Sequence, residues 1–293
     1  MGNPMAGHLV KKGFDVTVYD IRPEMVKAFV SQHGGKGAAS LVDAAHGMDA
    51  VITMLPDDKV VRKVVLGEGS ENCVAAGLAQ GAVVIDMSTC NPTATRSLAE
   101  ALKPRGIAVV DAPVMGGVIF AKDATLDIMV GGEAVLVERV KPLLAAIGRN
   151  IIPCGSTGTA HAMKALANYI NACALINAIE AMTIGKRFGL DAKLMAEALI
   201  PMCAGRNHPI EKKVIPHILT RKFGTGMAMG FVAKDVKIAV DTAKSIGAIA
   251  PLAERVSELW SAAVEKLGFD LDQTEIARYW EEASGVSLTS DKA

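Results

Sequence analysis

AVVIDMSTCNPTATRSLAEALKPRGIAVVD, residues 82–111, is the stretch that decides the fold. It opens on an apolar run, Ala82-Val-Val-Ile-Asp86, and closes on another, Ile107-Ala-Val-Val-Asp111, with a helical segment between them. Short unbroken runs rich in β-branched residues suit strands buried on both faces, and a helix joining two such strands is the crossover of a parallel sheet. Outward from this unit, Ala50-Val-Ile-Thr-Met-Leu55 is a further strand, stopped by Pro56. Val16-Thr-Val-Tyr-Asp20 is another, and Pro23 then stands at the first position of a helix. Thr125-Leu-Asp-Ile-Met-Val130 follows on the other side and ends on Gly131-Gly132. After about residue 155 the strand signals cease. Long Ala/Met/Leu/Ile stretches at helical spacing take over, broken at Gly189, Pro201, Pro216 and around Gly247 and Pro251. The expectation is a doubly wound α/β domain over residues 1–155 and an all-α domain over residues 156–293.

Composition agrees with helices packed on a sheet. The 293 residues are 51% hydrophobic but only 4% aromatic, so the core is filled by aliphatic side chains and the 14 methionines. Lys+Arg and Asp+Glu both number 31, which gives no net charge to attract nucleic acid or an anionic membrane. Five scattered cysteines (Cys73, Cys90, Cys154, Cys173, Cys203) show no CxxC spacing, which argues against a zinc cluster or disulfide framework and for a reducing compartment. The start carries no hydrophobic signal segment, and Ala6 defeats a myristoylation motif at Gly2. The longest apolar stretch, residues 165–184, contains Asn168, Asn171, Asn177 and Glu180, so it reads as a protein-facing helix rather than a membrane span. The expectation is a soluble cytoplasmic protein with no metal.

Met1-Gly-Asn-Pro-Met-Ala-Gly-His reads as a helix start that leads through Gly13 to the strand ending at Tyr19-Asp20. In a dinucleotide-binding βαβ unit a Gly-rich turn precedes such a helix, and an acid about 20 residues on binds the ribose hydroxyls. Asp20 is that acid. Its charge favours NAD over NADP, while Arg22 nearby leaves NADP open. Of the fingerprint glycines only Gly2 is found, and the first strand is missing. Without that strand two neighbours lose a ladder partner, so the expectation is a natural polypeptide that starts upstream, with Met1 an internal methionine of the turn.

Lys164 is the only formally charged side chain between Arg149 and Glu180, and its neighbours are Ala, Met and Leu. Such a lysine either snorkels to water or occupies a cleft where its charge is used. The segment before it, from Gly155 to Gly158, is a flexible turn feeding the helix, and Asn168 lies four residues on, on the same face.

Several segments, taken in order over nearly the whole chain, resemble the β-hydroxyacid dehydrogenase family, which includes 3-hydroxyisobutyrate dehydrogenase and tartronate semialdehyde reductase. Residues 1–6 resemble the tail of its cofactor fingerprint, and residues 49–58 its strand and loop near the cofactor. Asp86-Met-Ser-Thr89 and Asp111-Ala-Pro-Val-Met-Gly-Gly117 resemble its two substrate-side loops, residues 155–168 its catalytic helix, and residues 233–239 its Lys-Asp motif. The resemblance implies a Rossmann-like first domain, a 6-phosphogluconate dehydrogenase-like helical second domain and NAD as cofactor, with NADP the other candidate. It implies Lys164 as general acid and base beside a carbonyl that gains or loses hydride, with Asn168 orienting the substrate or the lysine. An apolar setting would move the lysine pKa towards working pH. It further implies Ser88, Gly116, Gly117 and Asp235 on the substrate side, and Gly2, Asp20, Met54, Leu55 and Lys234 on the cofactor side. Gly116 and Gly117 would let backbone N–H groups approach a carboxylate.

Three positions depart from the family pattern. Met115 stands where a serine usually precedes the paired glycines, Ala167 replaces a frequent Asn, and Met227 an aromatic. They bear on the substrate more than on the reaction. The function expected is interconversion of a short β-hydroxyacid with its semialdehyde or keto acid. Imine reduction on the same fold and a non-catalytic oligomeric scaffold are the alternatives. The long apolar helix after Lys164 implies a homodimer or homotetramer.

Overall fold

The computed structural model describes residues 1–67, 69–202, 209–245, 247 and 250–289. They form two compact units, Met1–Lys164 and Ala165–Ala293. In the first, helix α1 (Gly2–Lys11) leads to β1 (Thr17–Val18). Helix α2 (Pro23–His33) carries Pro23 at its start, where a missing N–H leaves no gap in the helical ladder. The short β2 (Lys36–Gly37) returns parallel to β1. Helix α3 (Leu41–Ala45) is capped by Ser40, and β3 (Ala50–Thr53) follows. Asp57 caps α4 (Asp58–Leu66) by accepting from the Val60 amide; then come α5 (Val74–Gly77) and β4 (Val83–Asp86). Asn91 caps α6 (Pro92–Leu102) ahead of β5 (Ala108–Asp111). The unit continues through β6 (Val114–Met115), α7 (Gly117–Lys122), β7 (Leu126–Gly131), α8 (Ala134–Ala145) and β8 (Gly148–Gly155).

The main sheet runs β3-β4-β5-β7-β6, with β8 paired to β7. Strands β3, β4 and β5 are parallel, as their apolar runs predict, whereas β7 enters antiparallel to β5. Alternation along β4 sends Val83 and Ile85 to one face and Val84 to the other. The first pair joins Met5, Leu9, Val110, Ile128, Val140 and Leu144; the second face packs Val61, Val65, Leu98, Leu102 and Val109. Each such side chain, taken fully out of water, contributes roughly 1.5–3 kcal/mol. Among the described residues β1 pairs only with β2, and β3 only with β4. Accordingly β3 is mostly half-buried while β4 is buried throughout. Register places Thr53 beside Asp86 and Asp86 beside Asp111. One polar residue from each parallel strand therefore reaches the same carboxyl end, the end at which open α/β sheets bind ligands.

Helix α9 (Thr159–Phe188) begins in the first unit, and the division falls just after Lys164. The regular elements described in the second unit are helical: the rest of α9, α10 (Ala192–Met202), a π-helical segment Ile210–Ile218, α11 (Met229–Ser245), α12 (Pro251–Leu267), a 3₁₀ turn Gln273–Ile276 and α13 (Ala277–Ser284); an isolated antiparallel bridge joins Ala228 and Asp272. Its core gathers Leu175, Ile179, Met182, Val214, Val236 and Trp260. No described helix is long and apolar enough to cross a membrane. Four described cysteines are free thiols; Cys203 lies outside the described residues.

Candidate active site

The carboxyl ends of β3, β4 and β5 carry a buried hydrogen-bonded network. Asp86 accepts on one oxygen from Thr53 Oγ1 at 2.8 Å and from the Ser88 amide at 3.0 Å, which fixes the turn after β4. Ser88 Oγ in turn accepts from the Leu55 amide at 2.9 Å. The expected cofactor-side pair Met54 and Leu55 and the expected Ser88 are thus held together across two loops. Gly2 stands beside them, where an added Cβ would lie 3.8 Å from Met54 Cβ. Helix α1 starts there with no side-chain cap and no acid in its first turn. Its first N–H groups fit an anionic group such as the pyrophosphate of a dinucleotide. Asp20 lies just past β1, where its carboxylate accepts from the Arg22 backbone at 2.9 Å and pairs with Arg22 Nε at 3.3 Å.

Asp111, fully buried, anchors the helix that bears Lys164. Its two oxygens accept from the Gly158 amide at 2.7 Å and the His161 amide at 2.9 Å. A carboxylate there satisfies first-turn N–H groups and lies at the positive end of the helix dipole. The sequence folds this way because Gly158 sits at φ +91, a conformation that favours glycine, in the turn leading into α9. Lys164 is 9% exposed and its Nζ donates to Met115 Sδ at 2.9 Å. A thioether is a weak acceptor, and Met115 is one of the three residues that depart from the family pattern. Gly116 and Gly117 follow it with φ +117 and +71. A Cβ on Gly116 would lie 2.7 Å from Phe120, which makes glycine the residue that fits.

The second unit holds a polar cluster of its own. Asn168 Nδ2 donates to Asp235 Oδ2 at 2.6 Å, and Asp235 Oδ1 lies 3.1 Å from Lys234 Nζ. Asp235 is buried, so its carboxylate orients Asn168 and balances Lys234. Lys234 also lies 5.9 Å from the centre of the Phe231 ring. Lys164 and Asn168 are four residues apart on α9.

Sequence reasoning did not single out Asp86, Asp111, Thr95 or His161. Two of them carried a usable signal, since each aspartate closes a run of apolar strand residues. His161 is fully buried, with Nε2 3.0 Å from Ser88 O and Nδ1 2.7 Å from Thr95 Oγ1. Asp86, Cys90 and His161 offer ligand atoms within 4.8 Å of one another. Both ring nitrogens are already engaged, so the trio reads as a hydrogen-bonded core rather than a metal site.

Residues 1–155 match the family profile described as the NAD binding domain of 6-phosphogluconate dehydrogenase. Residues 158–280 match the profile described as NAD-binding of NADP-dependent 3-hydroxyisobutyrate dehydrogenase. The chain is 32% identical to 2-(hydroxymethyl)glutarate dehydrogenase of Eubacterium barkeri, over 99% of its own length and 94% of the relative's. It is also 32% identical to the NAD-dependent L-serine dehydrogenase of Pseudomonas aeruginosa, covering 97% and 96%. Among solved structures, 3-hydroxyisobutyrate dehydrogenase of Mycobacterium tuberculosis with L-serine superposes with a TM-score of 0.82 at 28% identity, over 95% of each chain.

Proposed function

Because the chain belongs to the β-hydroxyacid dehydrogenase family and is an NAD(P)-dependent dehydrogenase, we propose that it interconverts a short β-hydroxyacid with its semialdehyde. The relatives named above share a feature: each name describes a carboxylate flanked by a carbon that bears a hydroxymethyl group. The nicotinamide dinucleotide, when bound, takes or supplies the hydride. In this reading the first-turn amides of α1 from Gly2 hold its pyrophosphate, Asp20 its ribose, Met54, Leu55 and Lys234 its flanks. The Gly116–Gly117 turn and Ser88 receive the carboxylate end of the substrate.

Lys164 takes the hydroxyl proton as the alcohol is oxidised and returns it to the carbonyl oxygen in reduction. Asn168, oriented by Asp235, positions the reacting oxygen. The observation that carries the reading is Lys164 itself, a nearly buried amine on a helix whose first turn is pinned by Asp111. Exposed Leu166 and Ile170 on α9 support a homo-oligomer.

The test is a panel of hydroxyacids and semialdehydes assayed with NAD and with NADP, repeated for Lys164→Ala. A loss of about two or more orders of magnitude in kcat is expected, the scale of general acid–base catalysis. An unchanged rate would refute the assignment. Cyclic imines belong in the panel, because the Met115 thioether 2.9 Å from Lys164 makes this corner less suited to a carboxylate than a hydroxyl would. Calorimetric titration with both dinucleotides separates an enzyme from a scaffold.

A further inference from the structure

We propose that His161 is a positioning residue for Lys164, tying the first turn of α9 to the Ser88 turn so that the amine keeps a fixed place. This rests on the reading of Lys164 as the acid–base group. His161 precedes Lys164 by three residues on the same helix, so it occupies the turn from which Lys164 projects. It is held at three atoms by three different segments. Its amide donates to Asp111 Oδ2, from the end of β5, at 2.9 Å. Its Nε2 meets the Ser88 carbonyl at 3.0 Å. A carbonyl can only accept, so Nε2 carries the proton and donates. In the neutral ring Nδ1 then accepts from the Thr95 hydroxyl on α6 at 2.7 Å, closer than the 3.2 Å from that hydroxyl to Asn91 O.

The Ser88 contact matters most. The same residue holds the Leu55 amide through its hydroxyl and the His161 ring through its carbonyl. One turn therefore links the end of β3, the end of β4 and the helix of the lysine. A core histidine needed only for stability would satisfy its nitrogens anywhere. This one spends both on the two segments packed against the start of α9, and carboxylate oxygens of Asp86 and Asp111 flank it at 4.0 Å each.

The experiment compares the full chain with His161→Leu and His161→Gln. Leucine removes both ring hydrogen bonds and leaves Ser88 O buried without its donor, whereas glutamine keeps an N–H to offer it. For His161→Leu the expected result is a fall in kcat of about 10- to 100-fold, the scale of a misplaced reacting group. KM for the dinucleotide stays near the parent value, and the deuterium isotope effect on kcat rises. His161→Gln recovers most of the loss. Hydrogen exchange at residues 158–164 speeds up in the leucine variant. A kcat per folded protein equal to the parent's, with unchanged exchange, would overturn the proposal. If the leucine variant does not fold, Thr95→Val removes the Nδ1 partner from another helix and is expected to give the same isotope signature in milder form; its absence would count against the role. If the parent shows no NAD(P)-linked turnover with any hydroxyacid, the functional reading fails. Exchange at residues 158–164 then decides the positioning by itself: faster in the variant supports it, unchanged refutes it.

Discussion

Replacing Asp111 by asparagine tests how the lysine helix is anchored. The carboxylate takes one N–H on each oxygen, Gly158 at 2.7 Å and His161 at 2.9 Å, and has no exposure to water. A carboxamide offers one oxygen and one NH₂, so in either orientation one of the two amides faces a donor. Leaving a buried donor unmet costs about 1–3 kcal/mol, and the remaining bond loses its charge assistance, about 1 kcal/mol more. Removing the anion from the helix N-terminus costs on the order of a further 1 kcal/mol. Relief of the buried charge offsets part of this. Water has no room to repair the site, since a Cβ on Gly131 would lie 2.6 Å from Asp111 Oδ1. The net expectation is about 3 kcal/mol, or a Tm lowered by about 6–12 °C for a unit of this size. Urea unfolding followed by circular dichroism, with thermal scans beside it, measures both. A loss below about 1 kcal/mol would show that the anchor is not built as described.

Two further outcomes follow from the packing. Burial lowers the pKa of Lys213 from 10.5 to about 8, against the opposing pull of Asp272, and its Nζ donates to Gln273 Oε1 at 2.6 Å. Between those values the unfolded chain binds more protons than the folded one, so this lysine makes stability rise with pH from about 8 to 10.5, by up to about 3 kcal/mol. Lys213→Met should abolish that contribution, read as the difference between parent and variant unfolding free energies across the window; parallel profiles would contradict it. Gly77→Ala drives a Cβ to 2.3 Å from the Val42 carbonyl and 2.9 Å from Ala45 Cβ, where α5 crosses α3. Backbone cannot swing aside as a side-chain tip can, so a destabilisation of about 2–3 kcal/mol is expected; a Tm equal to the parent's would refute the crossing.

The strands whose residues carry their own signal were legible, and the others were not. Strands β3, β4 and β5 are apolar runs between turns, and burial on both faces asks for that composition. Strand β2 is two exposed residues, Lys36 and Gly37, whose extended form is held by pairing with β1. Strand β8 contains Arg149, Asn150 and Pro153 and is mostly exposed, so no periodicity marks it; the neighbouring β7 makes it a strand. Helix α9 was legible from its length and from Lys164, the only formal charge between Arg149 and Glu180. The turn from Gly155 to Gly158 that feeds it was legible from its glycines.

By itself the amino-acid order determined the α/β-then-α architecture, because apolar periodicity and turn residues are local properties. It also singled out Lys164, because a lone charge among apolar neighbours is visible without coordinates. Only the tertiary structure decided what holds that lysine. Asp111 meets the helix start 47 and 50 residues further on, and His161 reaches Ser88 across 73 residues. Met115 reaches the amine across 49 residues. Such pairings depend on strand register and helix placement, which no stretch of sequence contains.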